Sequence, residues 1–171
     1  MNRQVRCVDT KQLADKDKSY KAADGKYYSS EAAYNFILKS NGWKTMSYNL
    51  FSDVCGFNID GSHYLPPVCK KELKQYERFG WDCVYKTIYV MADDFKWAAT
   101  HKTFNSEYAL ARYMGAIIGN NITTVKKGML EKEKQEREAA KLVEQANADD
   151  MAMAQNNKKA TDISSLLEDE D

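Results

Sequence analysis

Histidine is almost absent from this chain: His63 and His101 are the two in 171 residues. The general-base and metal-ligand roles that imidazole usually fills therefore have little to draw on. Cys83 and His101 have the chemistry for a thiolate–imidazolium pair, but neither stands in a recognisable catalytic context. No glycine-rich phosphate loop follows a strand-like segment, and no paired-carboxylate motif stands out, because Asp93-Asp94 reads better as a helix cap. Cys55, His63 and Cys69, with Cys7 or Cys83, would be enough donors for zinc, yet their spacings match no paired-ligand pattern. These absences predict a protein that is not an enzyme and uses no cofactor and no metal. Long apolar runs are missing too, both as a signal-peptide core in MNRQVRCVDT and as a membrane-spanning window. The expectation is a soluble cytoplasmic protein without a membrane partner. In a reducing compartment Cys7, Cys55, Cys69 and Cys83 read as free thiols in the core.

Net charge is also missing, but only in the sum. Lys and Arg number 25, as do Asp and Glu. Residues 1–128 hold 19 basic against 13 acidic side chains, while residues 129–171 hold 6 against 12. A mildly basic body thus precedes an acidic tail. With 43% apolar residues, the chain can bury one good core or a small subdomain packed on a larger one.

The fold class expected is α+β, predominantly α-helical. Residues 1–42 should hold a knuckle, a hairpin turning at Asp24-Gly25 with Tyr20, Tyr27 and Tyr28 on its arms, and a helix capped by Ser29 or Ser30. That helix should stop at Asn41-Gly42. Residues 43–65, aromatic-rich and broken by glycines, read as a linker or short strands. Residues 66–122 read as a helical domain whose first helix opens at Pro66-Pro67. Its clearest stripe is Leu110, Tyr113, Met114, Ile117 and Ile118, stopped by Gly119-Asn120. Residues 123–148 read as a long, exposed, projecting helix with i,i+4 charge pairs, and residues 149–171 as a disordered acidic tail.

The knuckle, the hairpin and the helix opening GKYYSSEAAY resemble the small treble-clef-like proteins of bacteriophages and prophages. In such modules two ligands come from the knuckle and two from the helix start. Here Thr10 stands where a second cysteine would follow Cys7, and Ser29, Ser30 and Tyr34 stand at the helix, so the resemblance implies a degenerate module. The stretch from YERFGWD to GAIIGNNI is similar to the helical domains of DnaD-type replisome organisers, with Tyr113, Ile117, Ile118 and Asn121 in comparable places. The aromatic that should follow that late helix is absent. Together these likenesses imply a phage-type protein in a bacterial host cell.

Aromatics make up 12% of the chain, and Lys or Arg is interleaved with them in KYY, WKT, YERFGW, VYKTIY and FKWAATHK. Such a pattern can stack bases while cations follow phosphate. The leading expectation is an accessory protein that binds nucleic acid or a nucleic-acid-processing protein. Lys70, Lys71, Lys74, Arg78, Lys86 and Lys102 would meet phosphate, with Trp81 or Trp97 stacking. The alternative is an inhibitor of a host defence system, resembling an anti-CRISPR protein that binds a Cas nuclease. Its partner-binding residues would be the carboxylates of Glu131, Glu133, Glu136 and Glu138 and the tail residues Ile163, Leu166, Leu167, Glu168, Asp169, Glu170 and Asp171. The third reading is a structural protein that forms a homo-oligomer through its long helix.

Overall fold

The computed structural model describes residues 3–59 and 61–167, with side chains described up to residue 58, from 61 to 148, and at Met151. It divides into two compact units, Met1–Lys126 and Lys127–Asp171.

The first unit opens with two tight hairpins. Strands β1 (Gln4–Arg6) and β2 (Leu13–Asp15) pair antiparallel with Val5 opposite Ala14. The Cys7 N–H donates to the Gln12 carbonyl at 3.0 Å, closing a turn in which Lys11 takes the left-handed conformation at φ 61°. Strands β3 (Tyr20–Lys21) and β4 (Tyr27–Tyr28) pair around Asp24-Gly25, as the turn chemistry requires. Gly25 supplies the positive φ of 80°, and Asp24 Oδ1 accepts the Lys26 N–H at 3.0 Å. The Val8 N–H donates to the Tyr27 carbonyl at 2.8 Å and joins the two hairpins.

A clasp ties the first turn to the helix start. Asp9 accepts both the Ser29 N–H, at 3.0 Å, and the Ser29 hydroxyl. The hydroxyl is the main reason that the Asp9 carboxyl titrates below its ordinary value of 3.8. Ser30 then caps helix α1 (Glu31–Val54) through the Ala33 N–H at 3.1 Å.

Helix α1 corrects the expected boundary. It runs through Asn41-Gly42 for 24 residues, so residues 43–54 are helix and not linker. An exposed helical glycine costs only about 1 kcal/mol. The second half of the helix more than offsets that by burying Phe51, Ser52 and Val54. Among the described residues of the expected linker, β5 (Asn58–Ile59) and β6 (Ser62–His63) make strand.

Helix α2 (Pro67–Lys74) opens on proline, and a 3-10 turn, Glu77–Phe79, ends at Gly80 with φ 91°. The next helix, α3 (Trp81–Val90), has Gly80 at its cap position and Asp82 in its first turn. Asp93 and Asp94 likewise lie in the first turn of α4 (Ala92–His101). Helix α5 (Glu107–Leu167) is capped by Ser106, whose Oγ accepts the Ala109 N–H at 3.1 Å. Of its expected stripe, Met114 and Ile118 are buried while Leu110, Tyr113 and Ile117 are half-buried; Ala111 and Ile122 complete the buried face.

Gly119-Asn120 does not stop α5. Gly115 and Gly119 instead admit the side chains of α2 and the turn after it. A Cβ at Gly115 would fall 2.5 Å from Glu72 Oε1, and one at Gly119 would fall 3.0 Å from the Tyr76 hydroxyl. The Tyr76 hydroxyl donates to the Gly115 carbonyl at 2.6 Å.

In the second unit, residues 127–148 are helical, and almost all of them are exposed. The tail expected to be disordered from residue 149 has a helical backbone to Leu167. After Gly128 there is no glycine or proline to break it, and Ala, Lys, Gln, Glu and Met favour helix. Among the described residues, no helix is long and apolar enough to cross a membrane.

Candidate functional site

Aromatic rings and cations meet on two parts of the first unit. Along α1 and α3, seven-residue spacing brings Phe36 and Trp43 to one side of α1, and four-residue spacing aligns Tyr85 and Tyr89 on α3. Trp43 packs on Tyr85 with centroids 5.3 Å apart, and Tyr85 stacks on Tyr89 at 6.4 Å and 20°. Core packing alone would hide such rings, yet Phe36 is 73% exposed and Tyr89 58%. Lys86 Nζ stands 5.0 Å from the Tyr89 ring centroid, and Lys44 Nζ 5.5 Å from that of Trp81. At the end of this ladder the middle of α1 and the start of α3 enclose a cavity of about 190 Å³, walled by Phe36, Lys39, Ser40, Trp43, Trp81 and Asp82.

The second group lies at the end of α4. Trp97, 54% exposed, stacks on His101 at 5.3 Å and 11°. Lys102 Nζ lies 5.6 Å from the Trp97 ring and 4.7 Å from that of Tyr113.

These positions sort the residues named from sequence. Trp97 and Lys102 are brought together, and Lys86 lies on the ladder. Trp81 is a correction: it is 3% exposed, packs edge-on against Tyr48 at 5.4 Å, and donates its Nε1–H to Glu77 at 3.2 Å. A ring so held forms the floor of the cavity and has no free face for a base. Lys70, Lys71 and Lys74 are exposed on α2, and Arg78 is exposed in the turn after it. The cations that the described residues place over tryptophan rings are Lys44 and Lys102, not these four. Phe36, Trp43, Tyr85 and Tyr89 were missed as individual residues, although WKT and VYKTIY carry three of them. The signal was Tyr85 and Tyr89 at i,i+4 with Lys86 between.

In the second unit, Glu133 pairs with Arg137 at 2.7 Å, Glu136 with Lys132 at 3.8 Å and Glu138 with Lys134 at 3.9 Å. Glu131 is exposed. The side chains of Ile163, Leu166 and Leu167, and all of Glu168, Asp169, Glu170 and Asp171, lie outside the described residues.

Three of the four thiols are poor nucleophiles. Burial pushes Cys69 up to about 12 and raises Cys55 and Cys83 as well. His63 is engaged with Asp53, Nδ1 to Oδ1 at 3.2 Å, and Asp53 also accepts from the Asn58 amide at 2.7 Å. Among the described residues, no cluster of three His, Cys, Asp or Glu side chains is arranged to hold a metal ion.

The model of one protein family, described as SPbeta prophage protein YorH, matches residues 7–166. No curated protein and no solved structure matches. The family match supports the phage and prophage part of the expectation; it carries neither the treble-clef nor the DnaD-type likeness.

Proposed function

We propose that this chain, which belongs to the SPbeta prophage protein YorH family, is a non-enzymatic accessory protein that binds single-stranded nucleic acid inside the bacterial host cell. The observation that carries this reading is the ladder of half-buried Trp43 and Tyr85 and exposed Tyr89, which has the exposed Phe36 at one end and Lys86 over its last ring. Bases of a duplex are stacked on one another and present no face to such rings. Bases of a single strand do, and each stacked base is worth about 1–3 kcal/mol. Lys39, Lys44 and Lys86 border the rings and would follow the phosphates. The basic surplus of residues 1–128 has the sign that nucleic acid requires.

The inhibitor reading draws less support. Glu133, Glu136 and Glu138 each have a cation one turn away, which weakens the bare acidic surface that mimicry of nucleic acid needs. The buried, high-pKa thiols and the engaged His63 favour a protein without catalysis.

The test is a salt titration of binding to labelled single- and double-stranded oligonucleotides. Three phosphate contacts give a slope of log affinity on log salt of about −2 for a single strand. Equal affinity for duplex, or binding independent of salt, would contradict the reading.

A further inference from the structure

The cavity at the end of the ladder is more than a gap between helices, because its polar groups are specific. Phe36 and Trp43 give it aromatic walls over the buried floor of Trp81, Ser40 adds a hydroxyl, and Lys39 and Asp82 are the charged groups at its edge. Gly80 shapes it twice over. Its φ of 91° disfavours any side chain, and a Cβ there would stand 2.5 Å from Asp82 Oδ1, so the Asp82 carboxylate occupies the room a larger residue would fill. Aromatic walls fit a flat ring. An ionised carboxylate accepts hydrogen bonds and donates none, so the edge of that ring must offer donors.

This requirement separates the bases. Guanine presents N1–H and the N2 amino group side by side, enough for both carboxylate oxygens. Adenine and cytosine set one amino group beside an unprotonated ring nitrogen, which would face the carboxylate lone pair to lone pair. Thymine and uracil set their single N–H between two carbonyls. Resting on the single-strand reading above, we propose that this cavity seats one guanine of the bound strand, its Watson–Crick edge on Asp82 and a flanking phosphate on Lys39. Unstacked bases are recognised elsewhere by the same combination of aromatic stacking and edge hydrogen bonds.

The experiment measures the affinity of the intact chain for all-thymine strands and for the same strands with one central guanine, adenine or cytosine, and for guanosine monophosphate alone. A bidentate contact predicts that one guanine tightens binding by about 5- to 150-fold, and that adenine and cytosine do not. Asp82→Asn should abolish this preference, so that the variant binds the guanine-containing strand no more tightly than it binds the all-thymine strand. Thermal unfolding checks that the variant is folded, and Lys39→Gln, which should weaken every strand alike, provides an independent probe of the same cavity. All-thymine binding with no guanine preference, or a preference that survives Asp82→Asn, would overturn the guanine site and leave the single-strand reading standing. Free guanosine monophosphate binding as tightly as the strand would overturn the assignment to a strand. Failure to bind any strand would overturn the single-strand reading and this inference with it.

Discussion

Replacing Gly42 with alanine is expected to raise stability, and replacing Gly115 with alanine to lower it, although both glycines lie inside helices. At Gly42 a new Cβ would meet nothing within 4 Å. Only the helix propensity changes, so Gly42→Ala should stabilise by about 0.8–1 kcal/mol. Gly115→Ala has the same propensity gain, but its Cβ would lie 2.5 Å from Glu72 Oε1, 2.7 Å from Cγ and 2.9 Å from Cδ. Glu72 has little freedom to retreat. It is 8% exposed, Gln75 donates to its Oε2 at 2.9 Å, and Arg112 lies 3.7 Å from its Oε1. Overpacking of this kind costs about 1–3 kcal/mol, which leaves a net loss of up to about 2 kcal/mol after the propensity gain. Thermal unfolding followed by circular dichroism reads the two variants as shifts of opposite sign, about 2–4 °C per kcal/mol for a chain of this size. In a double-mutant cycle, Glu72→Ala should remove most of the Gly115→Ala cost, with a coupling of about 0.5–3 kcal/mol. A Gly115→Ala protein stabilised by the full propensity gain, as Gly42→Ala should be, would refute the packing of α2 on α5, and a destabilised Gly42→Ala protein would refute the continuity of α1.

Other outcomes follow from the same geometry. Ile118, with no exposed surface, should cost about 2–5 kcal/mol when cut to alanine, measured by urea unfolding. The Asp9–Ser29 clasp makes a prediction about pH. Because the folded carboxyl titrates below 3.8, its contribution is present above that value and is lost as pH falls through the lowered one; Asp9→Asn should flatten this part of the stability–pH profile. A thiol reagent should label the native chain slowly at neutral pH and all four cysteines rapidly in denaturant, since all four are buried. Rapid labelling of Cys69 in the native protein would contradict its packing.

Local chemistry made part of this fold legible. The Asp24-Gly25 turn, the Ser30 cap, the Pro67 helix start and the stripe through Met114 and Ile118 are each decided by residues within one or two turns. The helix stops were misread for a physical reason. Gly42 and Gly119 looked like terminators because glycine is common there, but the cost of a helical glycine is small beside the burial of Phe51 beyond Gly42 or of Ile122 beyond Gly119. The tryptophans show the same limit. Nothing adjacent to Trp81 or Trp43 tells which is covered; that depends on how α1 meets α3, through the distant pairs Trp43 with Tyr85 and Tyr48 with Trp81. Lys102 and Trp97, both named from sequence, lie within two turns of each other, whereas Tyr89 beside Lys86 was missed and Lys70, Lys71 and Lys74 were chosen by charge alone.

The most direct test of the single-strand reading is the affinity of the intact chain for a single-stranded oligonucleotide, compared with that of Phe36→Ala and Tyr89→Ala. Both rings are largely exposed, so the variants should unfold near the wild-type temperature. Loss of one stacked base predicts a decrease in affinity of about 5- to 150-fold for each. Wild-type affinity in both variants, or no measurable binding by the wild-type chain at low salt, would contradict the assignment of the α1–α3 ladder as a nucleic-acid surface.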